Sequence, residues 1–160
     1  MAPTADSHDP ERAGPGDAGG LTELARRAYE GFIPIMKAVP LPMTADYAAL
    51  INDAEVWVIR SGDGIAASLV LVAEGDHLMI ESIAVDPGHQ GSGLGRRMLD
   101  WAHLRARQMN MPEIRLYTNV FMPENRAWYK RAGYTETHQE QRGDKRIVHM
   151  CFKLQGPRPS

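Results

Sequence analysis

The chain is 160 residues long, 43% hydrophobic and 24% charged, with a formal net charge of −2. That length corresponds to one domain large enough to bury a core, and the balanced charge gives no basic footprint for general nucleic-acid binding. No apolar run approaches the ~20 residues of a membrane-spanning helix, no signal-like segment follows the first residues, and the single Cys151 rules out an internal disulfide and fits a reducing cytoplasm.

Residues 1–15 are rich in Gly, Pro, Asp and Ala, so a mobile N-terminal segment is expected there, followed by one domain over 16–155 and a tail over 156–160. The stretch from His8 to Ala13 is polar and contains Pro10, which makes it a poor strand candidate. Leu21, Leu24, Ala25, Ala28, Tyr29 and Phe32 form an i, i+3, i+4 stripe, a helix that Pro34 should end. An apolar connector studded with prolines runs from Phe32 to Met43. Thr44 then stands where it can cap a short helix with Tyr47, Leu50, Ile51 and Ala54 on its inner face.

Two strands, Glu55 to Arg60 and Ile65 to Ala73, flank Ser61-Gly62-Asp63-Gly64, a hairpin turn by composition. A second turn at Glu74 to His77 leads to a strand over Leu78 to Val85. The long helix runs from about Gly93 to Met109 with Leu94, Met98, Trp101, Ala102 and Ala106 on one face. A strand over Ile114 to Thr118 follows. Pro123 suits the first turn of the next helix, and Gly133 suits its C-terminal cap. Tyr134 to His138 and Ile147 to Lys153 make a last hairpin around Arg142-Gly143-Asp144. The order predicts an α/β (α+β) domain: a mixed central sheet of six to seven strands with about four helices on both faces.

The join between the central strand and the long helix reads Ile83-Ala84-Val85-Asp86-Pro87-Gly88-His89-Gln90-Gly91-Ser92-Gly93-Leu94-Gly95-Arg96-Arg97. A strand, a glycine-rich turn and a helix N-terminus bring unpaired N–H groups and the positive end of the helix dipole together, a receptor for a phosphate-bearing ligand. A Walker loop would end in Gly-Lys-Ser/Thr, but Gly95 is followed by two arginines. The dinucleotide fingerprint needs G-x-G-x-x-G, and the spacing from Gly91 to Gly95 is G-x-G-x-G.

The pattern Gln90-x-x-Gly93-x-Gly95 after this strand resembles that of the GNAT superfamily of acetyl-CoA-dependent N-acetyltransferases. The segment Asn125-Arg126-Ala127-Trp128-Tyr129-Lys130-Arg131-Ala132-Gly133-Tyr134 resembles the family's helix ending in Tyr-x-x-x-Gly-Phe, and the likeness covers about residues 55 to 153. The resemblance implies the GNAT fold with strands splayed at the acetyl-CoA site. It further implies a cytoplasmic enzyme that passes an acetyl group to a primary amine of a small molecule by direct attack in a ternary complex. Acetyl-CoA is then the cosubstrate. No metal is implied, and the six histidines show no ligand spacing. Two other readings stand beside it: an N-terminal protein acetyltransferase of the ribosomal-protein-modifying type, and a non-catalytic acyl-CoA-binding module. A homodimer is left open.

The same resemblance assigns roles. Backbone amides of Gly91, Ser92, Gly93, Leu94 and Gly95, with Gln90 and Arg96, are expected to hold the pyrophosphate. The main chain of Ile83, Ala84 and Val85 is expected to pair with the pantetheine arm, beside a bulge that opens a slot against the Ile114–Thr118 strand. Tyr129 is the candidate general acid for the departing thiolate, since a phenol stays protonated at neutral pH; a core tyrosine on the helix's apolar face is the plainer reading. Asn125, one turn earlier, is a candidate contact to the pantetheine arm. The sequence departs from the family here, where the commonest pattern has an asparagine at the position of Met122 and an alanine at that of Asn125. Glu81, the carboxylate inside the central strand, is the candidate base for the amine, acting through water; a solvent-facing or lysine-paired glutamate is the alternative. His89 reads as an exposed loop histidine and Cys151 as a buried, inert thiol. The connector from Phe32 to Met43 and a loop from Gln139 to Arg146 should flank the acceptor, and the mixed charges of that loop give no preference.

Overall fold

The computed structural model describes residues 9–154, so part of the expected N-terminal segment and all of the expected tail lie outside the described residues. The strands are β1 (Glu11–Arg12), β2 (Glu55–Ser61), β3 (Gly64–Glu74), β4 (His77–Val85), β5 (Glu113–Asn119), β6 (Thr135–Arg142) and β7 (Lys145–Lys153). They form one sheet in the order β1-β2-β3-β4-β5-β7-β6. Every pairing is antiparallel except the central β4–β5 pair, which is parallel. The helices are α1 (Ala18–Tyr29), α2 (Ile33–Met36), α3 (Tyr47–Asp53), α4 (Leu94–Gln108) and α5 (Pro123–Arg131). The sheet is therefore the mixed one expected, with helices on both faces.

Strand alternation builds two cores. Leu69 and Leu71 of β3, Leu78 and Ile80 of β4, and Ile114 and Leu116 of β5 pack against Met98, Ala102 and Ala106 of α4 and Tyr129 of α5. On the opposite face, Val56 and Val58 of β2 and Val70 of β3 pack against Leu21, Leu24 and Ala25 of α1 and Tyr47 of α3. In β4 the period breaks once. Val70 pairs with Ser82 while Leu71 pairs with Ile80, so Glu81 is an extra residue on β4, a bulge. Before it, Leu78 and Ile80 face α4; after it, Ile83 and Val85 do, while Ala84 joins the α1 core.

Four expectations need correction. The doubted first strand exists: Glu11 and Arg12 pair with Val58 and Trp57. Its polar side chains are accommodated because Arg60 Nε reaches Glu11 at 2.5 Å and the Arg12 guanidinium lies 5.1 Å from the Trp57 ring centroid. Pro34 does not stop the helical path. It lies in the first turn of α2, where its missing N–H is harmless, and the turn Glu30–Phe32 bridges α1 to α2. The cap of α3 is Asp46, whose carboxylate accepts from the Ala49 amide at 3.1 Å, rather than Thr44, which bonds to the Leu41 carbonyl at 3.0 Å. Finally, Gln139 to Arg146 is not a loop. Gln139 pairs with Val148 and Arg142 with Lys145, so the hairpin turns at Gly143, whose φ of +60° suits glycine.

Candidate active site

Parallel pairing between β4 and β5 spans Leu78↔Ile114 to Ile80↔Leu116 and ends there, whereas β5 continues beside β7 as far as Asn119↔Ile147. The bulge at Glu81 coincides with this divergence. Beyond it a cavity of about 610 Å³ opens between the strands. One end is lined by Gln90, Gly91, Gly93, Leu94, Gly95 and Arg96. The middle is lined by Glu81 to Val85, Asn125 and Tyr129, and the far end by Tyr29, Phe32, Met36, Tyr117, Lys145 and Ile147. All the sequence-nominated residues meet on this one cavity except Ser92, whose amide and hydroxyl both turn to the His89 carbonyl.

The loop end is preorganised by its backbone. Gly91 and Gly93 have φ of +84° and +85°, a region L side chains avoid. The first bond of α4 runs from the Arg97 amide to the Gly93 carbonyl at 3.0 Å. The amides of Gly91, Gly93, Leu94, Gly95 and Arg96 therefore have no acceptor among the described residues, the donor set that a phosphate anion requires. Asp86 anchors the loop's start. Its carboxylate accepts from the Gly88 amide at 3.0 Å and from Arg27 of α1 at 3.1 Å, and the amide first, then the guanidinium, hold its pKa below the usual value. His89 is half-buried, with Nε2 3.2 Å from Ser61 Oγ, and not the exposed loop histidine expected. Arg96 is exposed and bonds to Asp100 at 3.0 Å; Arg131 of α5 lines the same cavity and was not singled out from the sequence.

In the middle of the cavity Glu81 is paired with a phenol and not a lysine: Tyr117 donates its hydroxyl to Glu81 Oε2 at 3.0 Å. Burial, then the Glu81 charge, push the Tyr117 pKa up, so that hydroxyl remains a donor throughout the neutral range. Tyr129 is buried, its ring set edge-on to Trp128 and Tyr134 with centroids 4.8 and 5.6 Å away. Its hydroxyl makes no hydrogen bond among the described residues, and burial raises its pKa. It is both a core ring and a cavity-lining phenol. Asn125 lines the cavity, its Nδ2 3.9 Å from Met122 Sδ. Tyr29 donates to the Ile83 carbonyl at 2.6 Å, so a tyrosine of α1 already occupies one of the main-chain groups nominated on β4.

Tyr117 escaped notice because nothing in an alternating strand distinguishes one outward aromatic from another. Tyr29 reads from the sequence as a stripe residue of its helix, one of four mostly core aromatics (with Trp57, Tyr47 and Trp128) of which one or two are expected to line the acceptor cleft. Cys151 is buried, donates to Glu113 Oε2 at 2.7 Å, and has its pKa raised to about 11, first by burial; it is the inert thiol expected.

Known proteins share the fold. The family model described as an acetyltransferase (GNAT) domain matches residues 52–136. Among solved structures, the PaiA N-acetyltransferase of Thermoplasma acidophilum, solved with coenzyme A, superposes with a TM-score of 0.76 at 13% identity, covering 91% of this chain and 98% of that one. The ribosomal-protein-S18-alanine N-acetyltransferase of Escherichia coli gives 0.74 at 17% identity over 94% and 97%. Nourseothricin acetyltransferase gives 0.58 at 24% identity over 63% and 65%. At these identities the likeness is one of fold.

Proposed function

The chain belongs to the GNAT acetyltransferase family, and from that premise we propose that it takes acetyl-CoA as cosubstrate and transfers the acetyl group to the primary amine of a small molecule, by direct attack in a ternary complex. One observation carries the reading: a single cavity runs from five unpaired loop amides, through the β4–β5 slot, to Glu81 and Tyr129. The amides of Gly91, Gly93, Leu94, Gly95 and Arg96 hold the pyrophosphate, with the Gln90 and Arg96 side chains beside it. Ile83 to Val85 and Asn125 line the path of the pantetheine arm.

In this reading the amine nitrogen attacks the thioester carbonyl; the C–N bond forms and the C–S bond breaks. The surplus amine proton passes through water to Glu81, which the Tyr117 hydroxyl orients. The departing thiolate takes its proton from Tyr129, whose phenol is kept neutral by burial. Strand main chain beside the bulge can donate an N–H to the thioester oxygen. A cytoplasmic setting belongs to the same reading, supported by the single, buried cysteine.

The test is release of the coenzyme A thiol with amines, peptides and antibiotics, with acetylated product followed by mass spectrometry. Turnover with a free small amine supports the proposal. Preference for a peptide N-terminus would favour a protein N-terminal acetyltransferase. Calorimetric binding of acetyl-CoA without turnover of any acceptor would favour a non-catalytic module.

A further inference from the structure

The far end of the cavity restricts which amine fits, an inference that rests on the transferase reading above. We propose that the acceptor is a primary monoamine with an apolar body, an arylalkylamine or alkylamine, rather than a polyamine or aminoglycoside.

Charge is the first argument. The carboxylates lining the cavity are Glu81 and Glu124, and Glu124 stands in the first turn of α5 beside Asn125, which lines the middle of the cavity. The acceptor end thus offers one carboxylate, enough for one ammonium group before it is deprotonated. The cations there work against a second. Lys145 lines the same end, and the Arg142 guanidinium lies 5.1 Å from the centroid of the Tyr117 ring whose hydroxyl holds Glu81. Each partners a carboxylate that does not line the cavity, Asp144 at 3.0 Å and Glu140 at 2.8 Å, and Glu140 is further engaged by His149 Nε2 at 2.5 Å. A second ammonium on the substrate would be left unpaired between apolar walls and like charges, an expensive position.

The walls are the second argument. Phe32, Met36, Leu41 and Pro42 of the connector face Ile147 of β7 across the cavity, and Met36 and Ala38 pack with Met122. Just outside, Ile35 is 58% exposed, Val39 41% and Phe121 55%. These three flank the Met36–Ala38–Met122 cluster, and of the large apolar side chains exposed among the described residues only Leu104 lies elsewhere, on α4. Ile35 and Phe121 are chain neighbours of the cavity-lining Met36 and Met122, and exposed apolar side chains gathered beside a cavity mark a binding surface. An aryl or alkyl body extending from the reacting nitrogen would cover it.

Thiol release measured with 2-phenylethylamine, spermidine, kanamycin, a tripeptide with an N-terminal leucine and a series of straight-chain alkylamines tests the inference. We expect kcat/KM for 2-phenylethylamine to exceed that for spermidine by about tenfold or more. KM should fall as methylenes are added to the alkylamine. Ile35→Ser and Phe121→Ser should raise KM for hexylamine several-fold while leaving kcat, and KM for propylamine, unchanged. A preference for spermidine, kanamycin or the tripeptide, a flat alkylamine series, or rim variants that act on propylamine and hexylamine alike would overturn the acceptor class and leave the transferase reading standing. Silence with every amine, while acetyl-CoA still binds calorimetrically, would overturn both.

Discussion

Replacing Tyr129 by phenylalanine separates the two things this residue does. The ring packs between Trp128 and Tyr134, and phenylalanine keeps those contacts. The hydroxyl makes no bond among the described residues and the residue lines the open cavity, so removing it breaks no pair. With no pair lost and the ring contacts kept, thermal stability of Tyr129→Phe should stay close to that of the parent. Turnover should behave differently. A general acid is worth about 10²–10⁴ in rate, roughly 3–5 kcal/mol of barrier, so kcat should drop by that factor with little change in acetyl-CoA affinity. Burial raises the folded pKa of this phenol. Its contribution to stability is therefore complete below the unfolded value near 10 and fades only above it, so no loss of rate from its ionisation should be seen up to about pH 10. The assays are thiol release across pH and a melting curve on the same preparations. A variant with parental kcat, or one that unfolds more easily, would refute the assignment of the hydroxyl to chemistry.

Gly93→Ala should weaken coenzyme A binding by about tenfold in calorimetry. A Cβ there meets nothing within 4 Å, but a φ of +85° costs an L residue roughly 1–2 kcal/mol, which the loop would escape by re-aiming its amides. Glu81→Gln keeps a group able to accept from Tyr117 yet takes no proton, so kcat should fall by about 10²–10⁴ with acetyl-CoA affinity unchanged; unchanged turnover would remove the base from Glu81. Glu113 has its carboxyl lowered to about 2, chiefly by Arg115 and then by the Cys151 thiol. A depressed carboxylate stabilises above its unfolded pKa and loses that contribution as pH falls through its folded one. The deficit in melting temperature of Glu113→Gln should accordingly be full above about pH 4.5 and shrink toward pH 2. A deficit independent of pH would contradict it.

Much of the architecture was legible because the signals were local. Alternation over residues 55–73 and the stripe on α4 gave elements whose ends moved by only a residue or so. The two misread strands share a cause: each depended on a partner outside its own segment. Glu11 and Arg12 look unlike a strand until Arg60 and Trp57 stand beside them. Gln139 to Arg142 carries no apolar alternation, since β6 is an edge whose burial is slight, and only pairing with β7 makes it a strand. The loop amides were readable from glycine spacing, because the conformation needs glycine. The Tyr117–Glu81 contact spans 36 residues and bridges strands whose pairing has already ended, so no sequence period encodes it.

A lineage that dropped residue 81 would forfeit more than a carboxylate. Ser82 would then follow Ile80 in regular alternation, opposite Val70 as now, with Ile83 and Val85 still facing α4 and Ala84 still facing α1, and the bend that accompanies the parting of β4 from β5 would be lost. The bend depends on the extra residue and not on its carboxylate, so a substitution at this position keeps the bend while a deletion removes it. Homologous enzymes with another residue at the same insertion would share this wall and this slot whatever chemistry they had adopted.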